Sequence, residues 1–513
     1  PGEWKSKEWP DRYKNLNQPG LVPDFVGHDK YPLTIYPEAY RLSHLGKAIR
    51  YWGAPLIGFI GGGKVFTTKE HVYLPGERIA KTLVMINDKR RDLDCSWQLM
   101  LKGSPETKRT GKVRIPAGNR SFQTVELPLP SDLQPGSFEL SAEFRFSDGT
   151  LRKDSFAFQV ISSAKSCAPG RTIAALYDPK GMTENLLKKW NVRYRKVGLR
   201  DNLSRYKTVI IGREALSAKG ALPNLDAVRK GQQVLIFEQQ TPVLERLGFR
   251  INEIGLRKLF FRDSRNPLLK ETAEPLFADW RGESTLLPPM LDYNEFFCPP
   301  WTWCGFKTHR VWRCGNRGTV ADALIEKPTI GNFMPVLDGG FCLQYAPLLE
   351  YREGKGRILF CQLDVTGRSE TEPAAMRMVA NLLQSLENPP VNELRSWSIL
   401  GGETFRNEIA KLGFRNPSAN QEAQVLVIGP GAEKYPDLTR MVEGGTRVLC
   451  FGLKAQELNA LFPGKINAKD LKNQPSRLAN LNYPEFAGIS NMDTYFQTRL
   501  DYAVTKNNAE LDR

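Results

Sequence analysis

Acids beside tryptophans are the residues of this chain whose chemistry is easiest to name. Glycoside hydrolysis uses two carboxyl groups at a fixed separation, one as proton donor and one as nucleophile or base. The candidate pairs are Glu3 and Glu8 beside Trp4 and Trp9, and Asp279 and Glu283 beside Trp280. Aromatic rings suit the same substrates, because the C–H faces of sugars pack on them. Acids are common on any surface, however, so each pair is more often an ordinary solvated feature.

Six tryptophans are candidate carbohydrate contacts on this argument. They are Trp4, Trp9, Trp280, Trp301, Trp303 and Trp312. Three of them interleave with Cys298, Cys304, His309 and Cys314, which are ligand types that could hold zinc. The paired short spacings of zinc sites are absent, so an aromatic loop is the favoured interpretation and no metal or cofactor is predicted.

A nucleophile of the α/β-hydrolase type needs a tight elbow after a buried strand. After Val234 to Phe237 the chain continues with Glu238, and after Val448 to Cys450 it continues with Phe451. Neither position supplies Ser or Cys, and only four histidines are present to act as a base. The run Gly61 to Lys64 lacks the context of a phosphate loop and is predicted to form a turn. We therefore predict no catalytic residue.

Two stretches predict strand–helix–strand units with parallel strands. In Lys207 to Gln240, an apolar run ends at Gly212, a short helix ends at Gly231, and a second apolar run follows. Gln424 to Leu453 repeats the pattern, which suggests an internal duplication. The alternative is that no duplication occurred and that the two stretches look alike only because any two strand–helix–strand units do.

The stretch from Leu56 to Ile161 has a different period. Seven short runs alternate between apolar and polar residues and are separated by turn signals, which predicts an antiparallel β-sandwich with Trp97 buried between its sheets. Before it, Tyr36 to Trp52 is predicted to be a helix. Asn252 to Asn316 is predicted to be a long irregular segment, and Pro373 to Leu386 an amphipathic helix.

The composition is that of an ordinary globular protein, with 41% hydrophobic and 25% charged residues among 513. No apolar run has the length of a membrane span. The net charge of +16 permits anionic partners, and basic residues crowd Lys188 to Lys207. Because no base-reading module accompanies them, a solvated face is the first interpretation. If the stretch is functional, we predict an acidic polysaccharide or a partner subunit rather than nucleic acid or a membrane.

Several segments carry a family resemblance. The pieces FTTKEHVYLPGE, KTLVMIND and SWQL resemble the linker and sandwich that follow the catalytic barrel in bacterial β-galactosidase-like enzymes of glycoside hydrolase family two. The pieces AALYDPKGMTENLL, LPNLDAVRKGQQVLIFEQ, RCGNRGTVADALIEKPTIGNF and LLEYREGKGRILFCQLDVTGR resemble their glutamine-amidotransferase-like accessory domains. That fold places Cys at its elbow, where Glu238 stands here, so the resemblance implies neither glutaminase chemistry nor any catalytic residue.

The resemblance implies a multidomain chain with an immunoglobulin-like sandwich followed by two flavodoxin-like α/β units. The predicted domains are 1–55 as a barrel remnant with linker, 56–162 as the sandwich, and 170–390 and 396–513 as the α/β units. Since the chain starts at Pro1 and stops at Arg513 without a terminal element, we expect both ends to be truncated. The predicted function is an accessory C-terminal portion of a glycosidase that supports the barrel and self-association, in a periplasmic or secreted parent enzyme. The alternative is a free-standing carbohydrate-binding or scaffold protein with a basic surface.

Overall fold

The chain is multidomain and rich in β-structure, with several separate sheets. The computed structural model describes residues 2–4, 40–42, 44–63, 65–164, 173–287, 301–303, 306–308, 317–329, 331–340, 343–389, 396–411, 423–431, 438–474 and 500–505. Two compact units are formed, Pro1–Thr68 with Gly76–Phe158, and Lys69–Pro75 with Gln159–Arg513. No helix of the described residues is long and apolar enough to cross a membrane.

The described residues of the first unit lie mostly in strands. Its elements are β1 (Gly2–Trp4), β2 (Tyr40–Leu42), α1 (His44–Trp52), β3 (Leu56–Gly62), then, after β4 (Val72–Tyr73) of the second unit, β5 (Arg78–Asn87), β6 (Leu93–Leu101), β7 (Ser104–Ile115), β8 (Asn119–Pro128), β9 (Gly136–Phe146) and β10 (Leu151–Val160). One sheet has the order β3-β5-β8, and another has the order β10-β9-β6-β7. The pairings of β5 with β3 and β8, and of β6 with β7 and β9, are antiparallel.

Each of the seven predicted strand runs overlaps a strand, since alternate residues face a shared apolar core, although several of the runs extend beyond the strand ends. The close approach of the two sheets is visible at Gly58 of β3, where a Cβ would lie 2.4 Å from the Phe144 ring of β9. Trp97 shares the inward face of β6 with the buried Cys95 and Leu99 but is itself only half-buried. Its ring lies against Gly111 of β7. The prediction that Trp97 is buried between the sheets is therefore right about the face of β6 and wrong about the degree of burial.

The turn predicted over Gly61 to Lys64 is corrected in part, because Gly61 and Gly62 belong to β3, the chain bends at Gly63, and Lys64 lies outside the described residues. The Gly62 N–H donates to the Phe66 carbonyl at 2.9 Å, which folds the chain back on itself. A Cβ on Gly62 would lie 1.9 Å from the Thr68 hydroxyl and 2.4 Å from the Val65 carbonyl oxygen. Glycine is therefore needed here for close packing of backbone on backbone.

The prediction of a helix from Tyr36 to Trp52 is wrong over part of its length. The structure has strand β2 at Tyr40–Leu42, paired antiparallel with β1, and the helix begins only at His44. The residues before Tyr40 in that prediction lie outside the described part. Helical spacing of apolar residues does not exclude a short strand when a partner strand satisfies the backbone.

The second unit contains the α/β part of the chain. Its further elements are β11 (Ala174–Tyr177), α2 (Met182–Lys189), β12 (Tyr194–Lys196), β13 (Thr208–Ile211), β14 (Gln233–Ile236), α3 (Thr241–Arg246), β15 (Ile251–Leu256), β16 (Leu259–Phe261), β17 (Trp301–Trp303), β18 (Phe306–Thr308), β19 (Ala321–Ile325), β20 (Phe333–Gly339), β21 (Tyr345–Glu353), β22 (Gly356–Cys361), α4 (Val365–Arg368), α5 (Pro373–Glu387), β23 (Trp397–Leu400), α6 (Glu403–Lys411), β24 (Val425–Ile428), α7 (Leu438–Glu443), β25 (Arg447–Cys450), α8 (Ala455–Leu461), β26 (Ala468–Gln474) and β27 (Leu500–Thr505).

An eight-stranded sheet in the order β12-β11-β13-β14-β22-β21-β20-β16 organises this unit. The pairings from β12 to β22 are parallel, and those from β22 to β16 are antiparallel. Successive residues of the central strands enter two apolar clusters: Ile210 and Leu235 lie in one, Val209 and Val234 in the other. Burial on both faces explains the continuous apolar runs that predicted these strands.

Two predictions for this unit need correction. The segment Asn252 to Asn316 is not irregular from its start, because β15 and β16 occupy its first part and β16 closes the large sheet. The helix expected between β13 and β14 is a single 3₁₀ helix at Asp226–Lys230, which ends at Gly231 with φ 112°. The amphipathic helix predicted over Pro373 to Leu386 is present as α5.

The predicted repeat has the same strand order in both copies. β11, β13 and β14 are parallel neighbours in chain order, and so are β23, β24 and β25. α7 lies between β24 and β25, and Gly445 follows it with φ 93°. The shared order agrees with a duplication, which remains a hypothesis.

Candidate functional site

Charged side chains follow the parallel strands of the large sheet at the edge where those strands end. Asp178 follows β11, Arg213 follows β13, Glu238 follows β14, and Asp364 follows β22. Because the carboxyl ends of parallel strands meet at one edge, residues far apart in the chain are brought together there. In open α/β sheets this edge is where ligands bind.

Glu238 is the central residue of this cluster and is fully buried. Its two carboxyl oxygens accept the backbone N–H and the hydroxyl of Thr366, each at 2.7 Å. Burial raises the pKa of Glu238 to about 7, Arg213 opposes the rise, and Asp364 adds to it. The carboxyl group therefore holds a proton up to neutral pH in the folded protein.

Reciprocal amide hydrogen bonds fix the strand ends beside Glu238. The Gln239 N–H donates to the side-chain oxygen of Gln362 at 2.9 Å, and the Gln362 amide donates back to the Gln239 carbonyl at 2.9 Å. Gln239 also donates to the Gly212 carbonyl at 2.8 Å. These bonds join the ends of β13, β14 and β22 and so fix the backbone that carries the side chains of the cluster.

Arg213 and Asp364 form a buried ion pair that a hydroxyl group completes. Their side chains are 3% and 1% exposed, and Nη1 lies 3.3 Å from Oδ1. Arg213 Nη1 donates to the Thr285 hydroxyl at 2.7 Å, and that hydroxyl donates to Asp364 Oδ1 at 2.6 Å. The second oxygen of Asp364 accepts the Thr285 N–H at 2.8 Å. Removing two charged groups from water is costly, so a buried ion pair needs additional hydrogen bonds such as these to offset the lost hydration.

A second arginine and two further acids surround this pair. Arg368, 3% exposed, lies 3.6 Å from Asp364 and donates to backbone carbonyls that include that of Arg281, at 2.7 Å. Asp322 accepts the Ser284 hydroxyl, and burial raises its pKa. Burial also raises the pKa of Glu372, whose carboxylate accepts the Arg281 N–H at 2.9 Å.

The cluster is closed and lacks an activated nucleophile among the described residues. Cys361 at the end of β22 is fully buried, and burial with the nearby Glu238 raises its pKa well above 9, so its thiol stays protonated. The described residues contain no group of three or more His, Cys, Asp or Glu that could hold a metal ion. Chemically, the arrangement favours the protonated form of Glu238 through burial, and its hydrogen bonds and ion pairs connect the loops that follow the strands.

Among the six predicted carbohydrate contacts, only the Trp280 side chain is described, and it is 1% exposed. Its indole N–H donates to the Leu276 carbonyl at 2.8 Å, and the Arg368 guanidinium lies 5.8 Å from the ring centroid. The ring is packed in the core, so it cannot stack on a sugar in this structure. The backbones of Trp4, Trp301 and Trp303 lie in β1 and β17, while Trp9 and Trp312 lie outside the described residues.

Of the predicted carboxylate pairs, the structure describes the side chains of Asp279 and Glu283, and each of these acids pairs with a different arginine. Asp279 pairs with Arg257 at 2.8 Å, and Glu283 pairs with Arg317 at 2.8 Å. The backbone of Glu3 lies in β1, and Glu8 lies outside the described residues, as do Cys298, Cys304, His309 and Cys314 of the suggested metal loop. Each described acid is therefore satisfied by its own arginine.

Sequence reasoning singled out Glu238 by its position at the elbow but missed Arg213, Asp364, Arg368 and Asp322. A signal was present, since a buried apolar run followed at once by charged residues marks a strand end. The runs IIGRE and CQLDVTGR both have this form. What the sequence could not show is that these ends lie side by side.

No family model and no curated protein matches the chain. Among solved structures, a FixG-related protein from Vibrio parahaemolyticus matches 21% of this chain and 97% of its own, at 9% identity and a TM-score of 0.16. A family 123 glycoside hydrolase from Clostridium perfringens matches 30% of this chain and 38% of its own, at 13% identity and a TM-score of 0.17. At these scores neither likeness carries an argument about fold or function.

Proposed function

We propose that the chain is an accessory, non-catalytic C-terminal portion of a β-galactosidase-like glycoside hydrolase, which supports the catalytic barrel and self-association. The supporting observation is the closed carboxyl edge of the large sheet. Glu238, Arg213 and Asp364 fill the place where an α/β domain of this kind holds its ligand, and all three are buried. A sheet edge closed in this way suits a scaffold better than a catalyst.

The same proposal assigns finer folds to the two units. Counted in chain order, the five parallel strands β11, β12, β13, β14 and β22 lie in the order 2-1-3-4-5, which is the flavodoxin-like order. This order supports the glutamine-amidotransferase-like assignment that the sequence resemblance implies. The two sheets of the first unit, which meet at Gly58 and Phe144, support the assignment of an immunoglobulin-like sandwich.

The test is an assay of the purified chain on nitrophenyl β-glycosides, with light scattering to measure its oligomeric state. We expect turnover at the level of the buffer and a defined homo-oligomer. Glu3→Gln and Glu8→Gln are the informative variants, because the side chains of these two candidate acids lie outside the described residues. Turnover that disappears in one of them would contradict the proposal and place a catalytic site near the N-terminus.

The alternative of a free-standing carbohydrate-binding or scaffold protein keeps one observation in its favour. The stretch from Lys188 to Lys207 is strongly basic and largely exposed at the edge of the large sheet. The two functions separate genetically, because an upstream reading frame that encodes a barrel in the native gene is expected only for the accessory portion.

A further inference from the structure

We propose that strand β12 and the loop after it bind a linear glycan that carries carboxylate groups. The surface, called here the basic edge, consists of Arg193, Arg195, Lys196, Arg200, Arg205 and Lys207. The inference rests on the proposed function in one respect, namely that the parent protein acts on carbohydrate. It adds the charge class of the glycan and the place where the glycan binds.

The basic edge is the most charged part of the chain. Residues 188–207 contain eight Lys or Arg and a single acid, Asp201, which gives a net charge of +7 out of +16 for the whole chain. All six residues of the basic edge are exposed. Nearly half of the net positive charge of the chain thus lies within residues 188–207, which include the basic edge.

Local acids neutralise only part of this charge. Glu184 of α2 accepts Lys196 at 2.6 Å and lies 3.1 Å from Lys188, and hydrogen bonds from Lys196, Tyr194 and Lys188 lower its pKa to about 2. Lys189 pairs with Glu370. Glu184 and Glu370 therefore neutralise Lys188, Lys189 and Lys196, which lie on or beside α2.

Four cations remain without a carboxylate partner in the described part of the chain. They are Arg195, Arg200, Arg205 and Lys207. Three are arginines, whose planar fork matches a carboxylate with two parallel hydrogen bonds. A polymer with regularly spaced carboxylates would supply the missing partners.

The position on the sheet supports an extended ligand. Among the strands that the structure describes, β12 is the outermost of this sheet and pairs with β11 alone. Arg193 and Arg195 are two residues apart in extended chain, which separates their Cα atoms by about 7 Å. The cations follow the strand and then the loop, and so form a line rather than a closed pocket.

Nucleic acid fits this surface less well than a glycan does. A strand edge presents no helix to the major groove, and sequence-tolerant binding of single strands needs free aromatic rings. Tyr194 and Tyr206 are half-buried against the two apolar clusters, so their faces are committed to the core. The edge thus has the charge for a polyanion but not the stacking surface for bases.

A competing explanation is that the cations only protect an open strand from pairing with other chains. The two explanations predict different results for the triple variant Arg195→Ser, Arg200→Ser, Arg205→Ser. The matched control is Arg90→Ser, Arg91→Ser, Arg109→Ser, which removes three exposed arginines from the first unit and changes the net charge equally.

The experiment measures binding of the full chain to polygalacturonate, neutral dextran and duplex DNA over a range of salt concentrations. We expect wild type to bind polygalacturonate but not dextran, the edge variant to bind it at least about tenfold more weakly, and the control to bind almost as wild type does. The salt dependence of binding should fall by about 2 to 3 counterions in the edge variant.

Three results would overturn the proposal. Wild type could fail to bind polygalacturonate, both variants could weaken binding equally, or duplex DNA could bind as tightly and with the same dependence on the edge arginines. An edge variant that self-associates while its binding is unchanged would assign the cations to protection of the strand. Hydrolysis of glycosides by the chain alone would instead contradict the proposed accessory function, and would leave the binding result standing.

Discussion

Replacing Glu238 by glutamine should make the protein more stable at neutral and alkaline pH. Glutamine has nearly the same shape, can accept the Thr366 N–H and cannot ionise. The folded state raises the pKa of Glu238 from 4.5 to about 7. The unfolded chain therefore releases this proton at a lower pH than the folded protein does.

The sign and size of the effect follow from this difference. Between pH 4.5 and 7 the unfolded state binds fewer protons at this site, so the contribution of Glu238 to stability falls as the pH rises. A shift of about 2.5 pKa units corresponds to roughly 3 kcal/mol. The stability of Glu238→Gln relative to wild type should thus increase by roughly 3 kcal/mol from below pH 4.5 to above pH 7.

The assay is urea unfolding of both proteins at a series of pH values between 4 and 8. Glu245→Gln, at an exposed glutamate on α3, is the matched control and should leave the pH profile unchanged. Infrared spectroscopy adds a direct readout, because a protonated carboxylic acid band should be present at pH 6 in wild type and reduced in the variant. A stability difference that does not change with pH would refute the reasoning, and so would an unchanged infrared band.

The remaining predictions concern the packing around this residue and two sites elsewhere. Arg213→Met should lower the free energy of unfolding by about 3 to 5 kcal/mol, because it leaves buried carboxylates without their cation; a loss under about 1 kcal/mol in urea unfolding would contradict this. Thr366→Val removes the hydroxyl that donates to Glu238, and the midpoint of the pH profile should move to higher pH, since that bond favours the charged form. Gly62→Ala should destabilise the first unit by about 2 kcal/mol or more in thermal unfolding, because its methyl group would meet backbone atoms. Trp280→Phe should cost about 1 to 3 kcal/mol through the lost indole hydrogen bond and leave binding of glycans unchanged in the same titrations; weaker binding would restore this residue as a sugar contact.

The sequence correctly predicted the strands that are buried on both faces of the sheet. Val209 to Ile211 and Val234 to Phe237 were recognised as strands because every residue faces an apolar layer, so no polar position interrupts the run. Trp97 was placed on the correct face of β6, but its exposure depends on Gly111 of the next strand and on the width of the sheet. Local patterning does not contain that information.

The candidate site could be predicted from local sequence patterns even less well than the burial of Trp97. Arg213, Glu238 and Asp364 come from three separate strand ends, and each looks like an ordinary polar residue at the start of a loop. Only the parallel order of the sheet makes them neighbours, and this order is set by contacts between residues more than a hundred positions apart. The position of Glu238 directly after the apolar run of β14 could be seen in the sequence, whereas the partners that make a buried glutamate tolerable could not.

Charge balance explains why a glutamate is stable in this position. Arg213 and Arg368 supply two positive charges, while the buried acids Asp322, Asp364, Glu238 and Glu372 could supply four negative ones. Burying an unbalanced charge is costly, so protonation of an acid relieves this excess of negative charge. Burial raises the pKa of Glu238 to about 7 and so favours its neutral form, although the hydrogen bonds from Thr366 and the charge of Arg213 favour the ionised form. Glu238 is thus part of a closed network of buried ionisable groups. Access of any substrate to it would require Thr285 and Thr366 to separate from their carboxylates, which would expose the very charges that the network neutralises.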